Sequence, residues 1–301
     1  MTLRMGTRRS LMATTQSQMV ADAYTGRTGR AVELVGVTTF GDVSKAHLAQ
    51  LGGTGVFVSA LRDKLMEGEI DFAVHSLKDL PTKQDPRVTL AAIPARHDHR
   101  DALVGRLRFA DLAPGARVGT GSPRRVAMLR AMRPDLEYVP IRGNADTRIG
   151  KVTSGELDAV VLASAGLTRI GRTSEISQIF EVEELMPAPG QGALAVECLS
   201  DREDLVDFLA VLDDPRTRSA VTAEREVLAA LEAGCSAPVG AFAHDDGQTL
   251  NLTALVVAID GRRAVRKSTA GSPSEAVSLA RTLADEMISE GADRLMGEHS
   301  H

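Results

Sequence analysis

The sequence contains few cysteines and no long apolar run, and each shortage excludes a class of protein. Cys198 and Cys235 are the two cysteines among 301 residues, too few for a disulfide framework. Neither lies in a CxxC motif or a His/Cys cluster, so we expect no metal site. No stretch approaches the roughly eighteen apolar residues of a membrane span, and no apolar segment follows the basic N-terminus. We therefore expect a cytoplasmic protein that binds no membrane.

Lysine is also scarce, and the charges are spread unevenly. Of the 35 basic residues only six are lysine, and arginine pairs with carboxylate or phosphate through two parallel hydrogen bonds. Residues 100–172 hold thirteen basic and seven acidic residues, although the whole chain has a net charge of −5. Codon bias explains part of the arginine total but not this clustering. The middle of the chain is predicted to bind anions, and the missing GxxxxGK[ST] loop argues against nucleoside triphosphates.

Strand and helix patterns alternate through the first two thirds of the chain, which is typical of parallel βαβ units. Strands are predicted at 3–6, 31–37, 71–77, 117–119, 136–141 and 158–165. Helices are predicted at 10–23, 56–68, 123–132 and 144–154, and Gly26 is expected to stop the first of them. Residues 187–198 have the Pro and Gly content of a crossing segment. After Pro215, a long helix through Ala233, strands at 237–245, 249–260 and 263–270, and a helix at 274–290 predict a small α+β domain.

Two short patterns occur twice in this region. RMGT at 4–7 returns as RVGT at 117–120, and GEIDFAV at 68–74 returns as GELDAVV at 155–161. In both copies, the first pattern ends a strand at a turn and the second introduces a later apolar strand. We therefore predict two similar α/β domains that face each other.

Hydroxyl and basic side chains follow several of the predicted strands. Ligands of open α/β sheets bind at the carboxyl ends of strands, and helix N-termini receive anions there. A single Arg pair is more typical of a solvated helix face, but several such turns together predict a cleft for a ligand with several carboxylates or phosphates. The residues are Arg8, Ser10, Ser76, Lys78, Thr120, Ser122, Arg124, Arg125, Arg142, Arg148 and Arg169.

Asp79 is the one acid in this basic set. A carboxylate binds anions poorly, so its position suits proton transfer or the stabilisation of a cation. The alternative is that Asp79, Leu80 and Pro81 only form the turn that ends a strand. The residues by themselves leave both interpretations open.

The two cysteines have different surroundings. Cys198 lies in the apolar run ALAVEC, which predicts a buried thiol. Cys235 lies between Gly234 and Ser236, which break the preceding helix and predict an exposed turn where a thiolate would be nucleophilic. A cysteine hydrolase would also need a nearby histidine, and His244 lies in a strand-like stretch with no orienting partner. An anion-binding or sensing protein would need neither Asp79 nor this thiol.

Six segments occur in the order and approximate spacing of one enzyme family. They are GTRRS, VHSLKDLP, GTGSPRR, IRGNADTR, PAPGQGALAVEC and LEAGCSAPVG. Through them the chain resembles the hydroxymethylbilane synthases, also called porphobilinogen deaminases, over nearly its whole length. The resemblance implies a transferase of haem and tetrapyrrole biosynthesis. Such an enzyme condenses four porphobilinogen molecules head to tail onto a dipyrromethane primer with loss of ammonia, and then hydrolyses the product from the retained primer.

The resemblance also implies individual roles. Cys235 would hold the dipyrromethane cofactor through a thioether, and Asp79 would protonate the leaving amine and stabilise positive charge. The cofactor or chain carboxylates would be bound by Lys78, Ser122, Arg124, Arg125, Arg142 and Arg148. Porphobilinogen or the elongating chain would be positioned by Arg8, Ser10, Ser76, Thr120 and Arg169.

The implied architecture has three domains. Two similar α/β domains of the periplasmic-binding-protein type precede a small α+β C-terminal domain with a three-stranded antiparallel sheet. We expect domain 1 at 1–94 plus about 187–212, domain 2 at 95–186 and domain 3 at 215–301. The protein should be a monomer with a small-molecule substrate and no nucleic-acid partner.

Three positions depart from the family's common pattern. Phe40 and Thr54 stand where basic residues are frequent, so the loop over the active site is expected to be less cationic. Gly121 stands where a second serine is usual, which removes one hydroxyl from the anion turn. None of these positions is Asp79 or Cys235.

Overall fold

The computed structural model describes residues 2–38, 55–234 and 237–297. Phe40, Thr54 and Cys235, on which three expectations rest, lie outside these ranges. By its internal contacts the chain divides into two compact units. Unit 1 comprises Met1–Arg96 and Ala193–Arg218, and unit 2 comprises His97–Gly192 and Ser219–His301. The division into three domains stays a prediction.

The described strands and helices are numbered here in chain order. The strands are β1 (Leu3–Arg8), β2 (Val32–Val37), β3 (Phe72–Ser76), β4 (Val88–Ala92), β5 (Asp101–Gly105), β6 (Arg117–Gly119), β7 (Glu137–Val139), β8 (Ala159–Ala163), β9 (Ile176–Ile179), β10 (Leu194–Leu199), β11 (Val239–Asp245), β12 (Leu250–Val257) and β13 (Ala264–Gly271). The helices are α1 (Leu11–Thr28), α2 (Gly55–Met66), α3 (Pro123–Met132), α4 (Ala145–Thr153), α5 (Ser164–Arg169), α6 (Glu203–Leu209), α7 (Pro215–Ala230), α8 (Ala276–Ser289) and α9 (Ala292–Gly297).

Each unit contains a five-stranded sheet, and the two sheets have the same plan. The order is β2-β1-β3-β10-β4 in unit 1 and β7-β6-β8-β5-β9 in unit 2. The first three strands of each order are parallel, whereas the fourth strand is antiparallel to both of its neighbours. The expectation of parallel βαβ units is therefore confirmed for three strands of each sheet.

The repeated patterns make the same backbone hydrogen bonds in both units. In unit 1, Asp71 accepts a hydrogen bond from the Arg4 backbone N–H at 2.7 Å and returns one from its own N–H to the Arg4 carbonyl at 2.8 Å. Asp158 and Arg117 make the equivalent pair in unit 2, at 2.7 and 2.9 Å. The aspartate of the Gly-Glu-x-Asp pattern thus fastens the start of one strand to its parallel neighbour.

The glycine of the other pattern also packs alike. A Cβ atom added to Gly6 would lie 2.3 Å from Ile70, and one added to Gly119 would lie 2.5 Å from Leu157. Both apolar partners are the third residue of the Gly-Glu-x-Asp pattern. The similarity of the two α/β sheets, predicted from these patterns, is confirmed.

The C-terminal part of unit 2 has its own antiparallel sheet, in the order β11-β12-β13. Its core joins the inner face of the sheet to α7 and α8 through buried side chains such as Val227, Leu252 and Leu283. Burial alternates along β12 from Leu250 to Val256, and the buried set belongs to this core. The predicted fold class is thereby confirmed.

Several predicted boundaries and strands are wrong. Helix α1 continues past Gly26 to Thr28, because Gly29 adopts the left-handed conformation and caps it by donating to the Thr25 carbonyl. Helix α7 ends at Ala230 rather than Ala233. The interpretation of 187–198 as a crossing segment missed β10, which fills the sheet between β3 and β4, and β4, β5 and β9 were missed as well. Each of these strands pairs antiparallel with its neighbours and so lies outside the alternation of parallel strands and helices on which the predictions rest. None of the helices that the structure describes is long and apolar enough to cross a bilayer.

Candidate active site

In unit 1, the predicted site residues lie where parallel strands end. Strands β1 and β3 are parallel neighbours whose last residues are Arg8 and Ser76, so both lie at one edge of the sheet. Ser10 caps α1, and its hydroxyl accepts a hydrogen bond from the Ala13 N–H at 3.3 Å. Gln16 of the same helix donates to the Ser76 hydroxyl at 3.4 Å. The structure therefore brings Arg8, Ser10 and Ser76 to the same edge.

Asp79 lies in a 3-10 turn, Leu77–Asp79, that directly follows β3. The turn is anchored to the core, because Leu77 is fully buried and donates its N–H to the Ala193 carbonyl at 3.1 Å. Lys78 and Asp79 are partly exposed. Within the described part of the chain the Asp79 carboxylate makes no hydrogen bond, so a rigid turn presents an acceptor that a ligand can use.

In unit 2, the equivalent edge carries the turn at residues 120–122. Ser122 caps α3 and accepts a hydrogen bond from the Arg125 N–H at 3.5 Å, while Thr120 is buried and accepts from the Ser122 N–H at 3.3 Å. A Cβ atom at Gly121 would lie 2.6 Å from the Ile141 carbonyl oxygen. Glycine therefore allows this turn to lie against the turn that follows β7.

That second turn carries Arg142 and leads to Arg148. The Arg142 side chain is exposed, and Asn144 caps α4 by accepting from the Thr147 N–H at 2.8 Å. Arg148 donates from Nε to the Gly143 carbonyl at 2.8 Å, which holds it beside the same turn. Ser122 and these two arginines thus lie at the carboxyl ends of two adjacent parallel strands.

Arg124 and Arg125 are placed differently from the expectation of open anion-binding side chains. They are only 3% and 5% exposed, and both bind the fully buried carboxylate of Asp101. Arg124 donates from Nη2 to Oδ2 at 2.7 Å, and Arg125 donates to Oδ1 from Nε at 3.1 Å and from Nη2 at 2.6 Å. We call these three residues the Arg–Asp–Arg triad.

The triad contains two positive charges and one negative charge in a buried site. Burial alone would raise the pKa of Asp101, but the charges of Arg124 and Arg125 outweigh it and hold that pKa well below the usual range. Burial lowers the pKa of Arg124 even though Asp101 opposes the shift. The lowered pKa values of Asp101 and Arg124 both follow from a site that holds one guanidinium more than the Asp101 carboxylate can neutralise. An added anion would relieve that imbalance.

Arg169 and His97 form a further part of this unit. Arg169 donates from Nη2 to the Gly192 carbonyl at 2.7 Å, and its buried Nε has no hydrogen-bond partner in the described part of the chain. Burial lowers the pKa of Arg169 to about 10. Burial and the nearby Arg169 charge also lower the pKa of His97, so that imidazole is neutral at pH 7.

Sequence reasoning missed Asp101 and Gln191. Asp101 begins an antiparallel strand, so only the sheet topology brings it to the edge where β6 and β8 end. Gln191 is fully buried and donates to Asp101 Oδ1 at 2.9 Å and to the His99 carbonyl at 2.8 Å. An acid ahead of an apolar run, and a Gln within PAPGQG, were the available signals.

The structure leaves two parts of the predicted site as predictions. Cys235 lies outside the described residues. The unit 1 and unit 2 residues are gathered at one edge each, and the cleft between them stays a prediction. In the described ranges, no three His, Cys, Asp or Glu side chains cluster closely enough to hold a metal ion.

Comparison with known proteins identifies the family. Residues 3–207 match the model of the porphobilinogen deaminase dipyrromethane cofactor binding domain, and residues 219–289 match that of the porphobilinogen deaminase C-terminal domain. The chain belongs to the porphobilinogen deaminase family. It is therefore a transferase that makes hydroxymethylbilane for tetrapyrrole biosynthesis, with a dipyrromethane cofactor.

Relatives in the porphobilinogen deaminase family match the chain almost end to end. The enzyme of Thermobifida fusca is 58% identical over 98% of this chain and 96% of its own length, and porphobilinogen deaminase 1 of Streptomyces coelicolor is 58% identical over 99% and 98%. That of Corynebacterium diphtheriae is 51% identical over 99% and 100%.

Similar solved structures include the methionine-binding protein MetQ, at a TM-score of 0.46 and 10% identity over 70% of this chain and 89% of that chain. A periplasmic substrate-binding protein of an ABC transporter from Coxiella burnetii gives a TM-score of 0.43 and 12% identity over 74% and 96%.

Proposed function

We propose that Asp79 carries the condensation chemistry and that the arginines of unit 2 hold the carboxylates of the cofactor and growing chain. The observation that carries this assignment is the contrast between the two sheet edges. The edge of unit 1 presents a carboxylate that makes no hydrogen bond within the described part of the chain. The edge of unit 2 presents an excess of buried positive charge.

The residues of unit 2 suit a group with several carboxylates. The buried Nε of Arg124 has no hydrogen-bond partner among the described residues, and the triad has one uncompensated positive charge. The neighbouring Ser122 hydroxyl can donate to an anion while its oxygen accepts from the helix. The residues that would hold the cofactor are Lys78, Ser122, Arg124, Arg125, Arg142 and Arg148, with Cys235 as the covalent anchor. When bound, the dipyrromethane supplies the pyrrole carbon to which the first porphobilinogen unit is joined.

Asp79 acts on the incoming porphobilinogen. The amino group of its aminomethyl substituent leaves as ammonia when the C–N bond breaks, and the methylene carbon left on the pyrrole becomes positively charged. Asp79 keeps a proton on the leaving nitrogen, and its carboxylate then stabilises the cation and accepts a hydrogen bond from the pyrrole N–H. The rigid 3-10 turn supports this role because a preorganised carboxylate needs no reorganisation when the charge develops.

Other basic and hydroxyl groups position the substrate. The acetate and propionate of each porphobilinogen unit are matched by guanidinium and hydroxyl donors, and bidentate pairing fixes their orientation. The residues proposed for this task are Arg8, Ser10, Ser76, Thr120 and Arg169. Thr120 supports the turn from its buried side, whereas the unpartnered Nε of Arg169 suits a direct contact.

The intact mass of the purified protein tests the assignment of the anchor. We expect the wild type to carry an increment of one dipyrromethane and to gain further pyrrole units on brief exposure to porphobilinogen. Cys235→Ser should carry neither increment, and Cys198→Ser should behave as the wild type. A wild type that never gains mass, or a loaded Cys235→Ser, would overturn the proposal.

As further proposals, the protein acts in the cytoplasm and is a monomer. Its substrate and cofactor are small molecules, and the proposed reaction uses residues of one chain. Light scattering coupled to gel filtration tests the oligomeric state. A mass near 31.9 kDa would support a monomer, and twice that mass would contradict it.

A further inference from the structure

Asp101 is fully buried and has no part in the chemistry described above. Strand β5 runs antiparallel to β8, and its first residue, Asp101, is paired with Ala163, the last residue of β8. Asp101 therefore lies at the edge of the sheet where the parallel strands β6 and β8 end. This edge also carries the anion turn at residues 120–122.

Asp101 uses its two oxygens unequally. Oδ1 accepts three hydrogen bonds, two from Arg125 and one from Gln191, whereas Oδ2 accepts one from Arg124. Charge-assisted bonds of this kind are strong, and a carboxylate with several donors is fixed in orientation. Gln191 adds a second constraint because the same amide nitrogen donates to the His99 carbonyl.

The two arginines are consequently held to different degrees. A guanidinium has five N–H donors. Arg125 uses three, two to Asp101 and one to the Val161 carbonyl at 2.9 Å. Arg124 uses two, to Asp101 and to the Met186 carbonyl, and its Nε has no partner among the described residues. Arg124 therefore has more donors left for a ligand than Arg125.

We propose that Asp101 is a positioning residue that locks Arg125 in place and leaves Arg124, beside the turn at 120–122, with more donors for a cofactor carboxylate than Arg125 has. This inference rests on the proposed function and deepens it. Without the Asp101 charge, two adjacent guanidinium groups would be buried with no counter-ion. Each would turn away from the other, and the anion site would lose its geometry.

The first test removes the charge of Asp101 and keeps the shape of its side chain. We expect Asp101→Asn to reduce the fraction of protein that carries the cofactor mass increment at least tenfold, both as purified and after incubation with porphobilinogen. Asp101→Glu, which restores the charge, should recover part of that fraction. The matched control is Glu197→Gln in unit 1, because Glu197 is also a buried carboxylate bound by an arginine. The control should load as the wild type does.

A second measurement reports the positioning without the cofactor. In protein labelled with ¹⁵N-arginine, the Arg125 Nε–H should exchange slowly with solvent, assigned by its loss in Arg125→Lys. Asp101→Asn should speed this exchange at least tenfold, and Gln191→Met should speed it by a smaller factor. If Asp101→Asn does not fold, Gln191→Met supplies both readouts, with slower cofactor loading expected.

The outcomes separate this inference from the proposed function. Full loading of Asp101→Asn, or of Gln191→Met where the first variant does not fold, would overturn the inference while the proposed function stands. A wild type that gains no mass from porphobilinogen would overturn the proposed function. The exchange rates would then decide the inference on their own, and unchanged rates in both variants would overturn it.

Discussion

The two sheets of this protein share one plan but place different residues at the same point of it. In both, an antiparallel fourth strand starts opposite the last residue of the third parallel strand. In unit 1 the pair is Leu194 opposite Ser76, and in unit 2 it is Asp101 opposite Ala163. Among the described residues, no buried acid lies at the unit 1 edge, whereas Asp101 allows unit 2 to bury two arginines.

The difference shows how a repeated frame acquires two tasks. The strand-start pairs, the glycine contacts and the strand order are common to both units, and they determine where a turn lies. The charge of the turn depends on single residues outside the repeat, such as Asp79 in unit 1 and Asp101 in unit 2. The residues that set the strand arrangement are therefore different from those that set the charge of the turns. Substitution of one set should leave the role of the other unchanged.

The largest expected effect is on turnover and concerns unit 1 alone. Asp79→Asn should lower kcat by about 10²- to 10⁴-fold, because the amide cannot stabilise the developing cation or hold the leaving proton. Steady-state consumption of porphobilinogen measures this. The cofactor mass increment and the melting temperature should stay at wild-type values. Turnover within threefold of the wild type would remove Asp79 from the mechanism and with it the division of tasks.

The next effect is on the free energy of unfolding and concerns the Arg62–Glu197 ion pair of unit 1. Arg62 donates to Glu197 at 2.7 and 3.0 Å, and His75 lies 3.4 Å from the same carboxylate. Glu197→Gln should lower the free energy of unfolding by about 1–3 kcal/mol, because the partly buried Arg62 guanidinium loses its charged acceptor. Urea unfolding measures the change.

The pH dependence of the unfolding free energy tests whether Glu197 is ionised in the folded protein. Burial alone would raise the pKa of Glu197, but the adjacent His75 and the hydrogen bonds from Arg62 outweigh it and lower that pKa. The ionised form therefore stabilises the folded state above the unfolded pKa, about 4.3, and this contribution is lost as pH falls through the folded value. The difference between wild type and Glu197→Gln should be largest near pH 7 and shrink below about pH 4. A difference independent of pH would contradict the assigned charge.

A smaller effect tests whether the frame is symmetric. Asp71→Ala and Asp158→Ala each remove one hydrogen bond to a backbone N–H at the start of a parallel strand, and Asp71→Ala also removes a largely solvent-exposed ion pair with Arg4, which contributes little. Each variant should lose about 1 kcal/mol of unfolding free energy and keep the wild-type cofactor increment. Urea midpoints for the two variants provide the measurement. A cost several times greater in one unit would show that the repeated patterns do different work.

The smallest expected effect concerns the thiols. Burial raises the pKa of Cys198 to about 11, so at pH 8 it is almost entirely the unreactive thiol. A thiol reagent should label one cysteine, Cys235, in cofactor-free protein and none in loaded protein. Cys198→Ser should label identically to the wild type. A second fast-reacting thiol would show that the core under β10 opens readily.

Much of the fold was predictable because the signals were local. The repeated patterns and the alternating strand and helix patterns each act over a few residues. Strands β4, β5, β9 and β10 were missed because they pair antiparallel, outside the alternation of strand and helix, and because their partners are distant in sequence. The end of α1 was misplaced because glycine is tolerated inside a helix, and Gly29, three residues later, provides the left-handed cap.

The sequence by itself determined the family, the α/β class and the residues that follow the parallel strands, because long motifs and short-range periodicity are properties of the chain. Only the tertiary structure decided what Arg124 and Arg125 contact. Their counter-ion, Asp101, comes from an antiparallel strand, and Gln191 comes from the segment before β10. Such partners are set by strand pairing, since burial requires a charge to find its counter-ion wherever the sheet brings one.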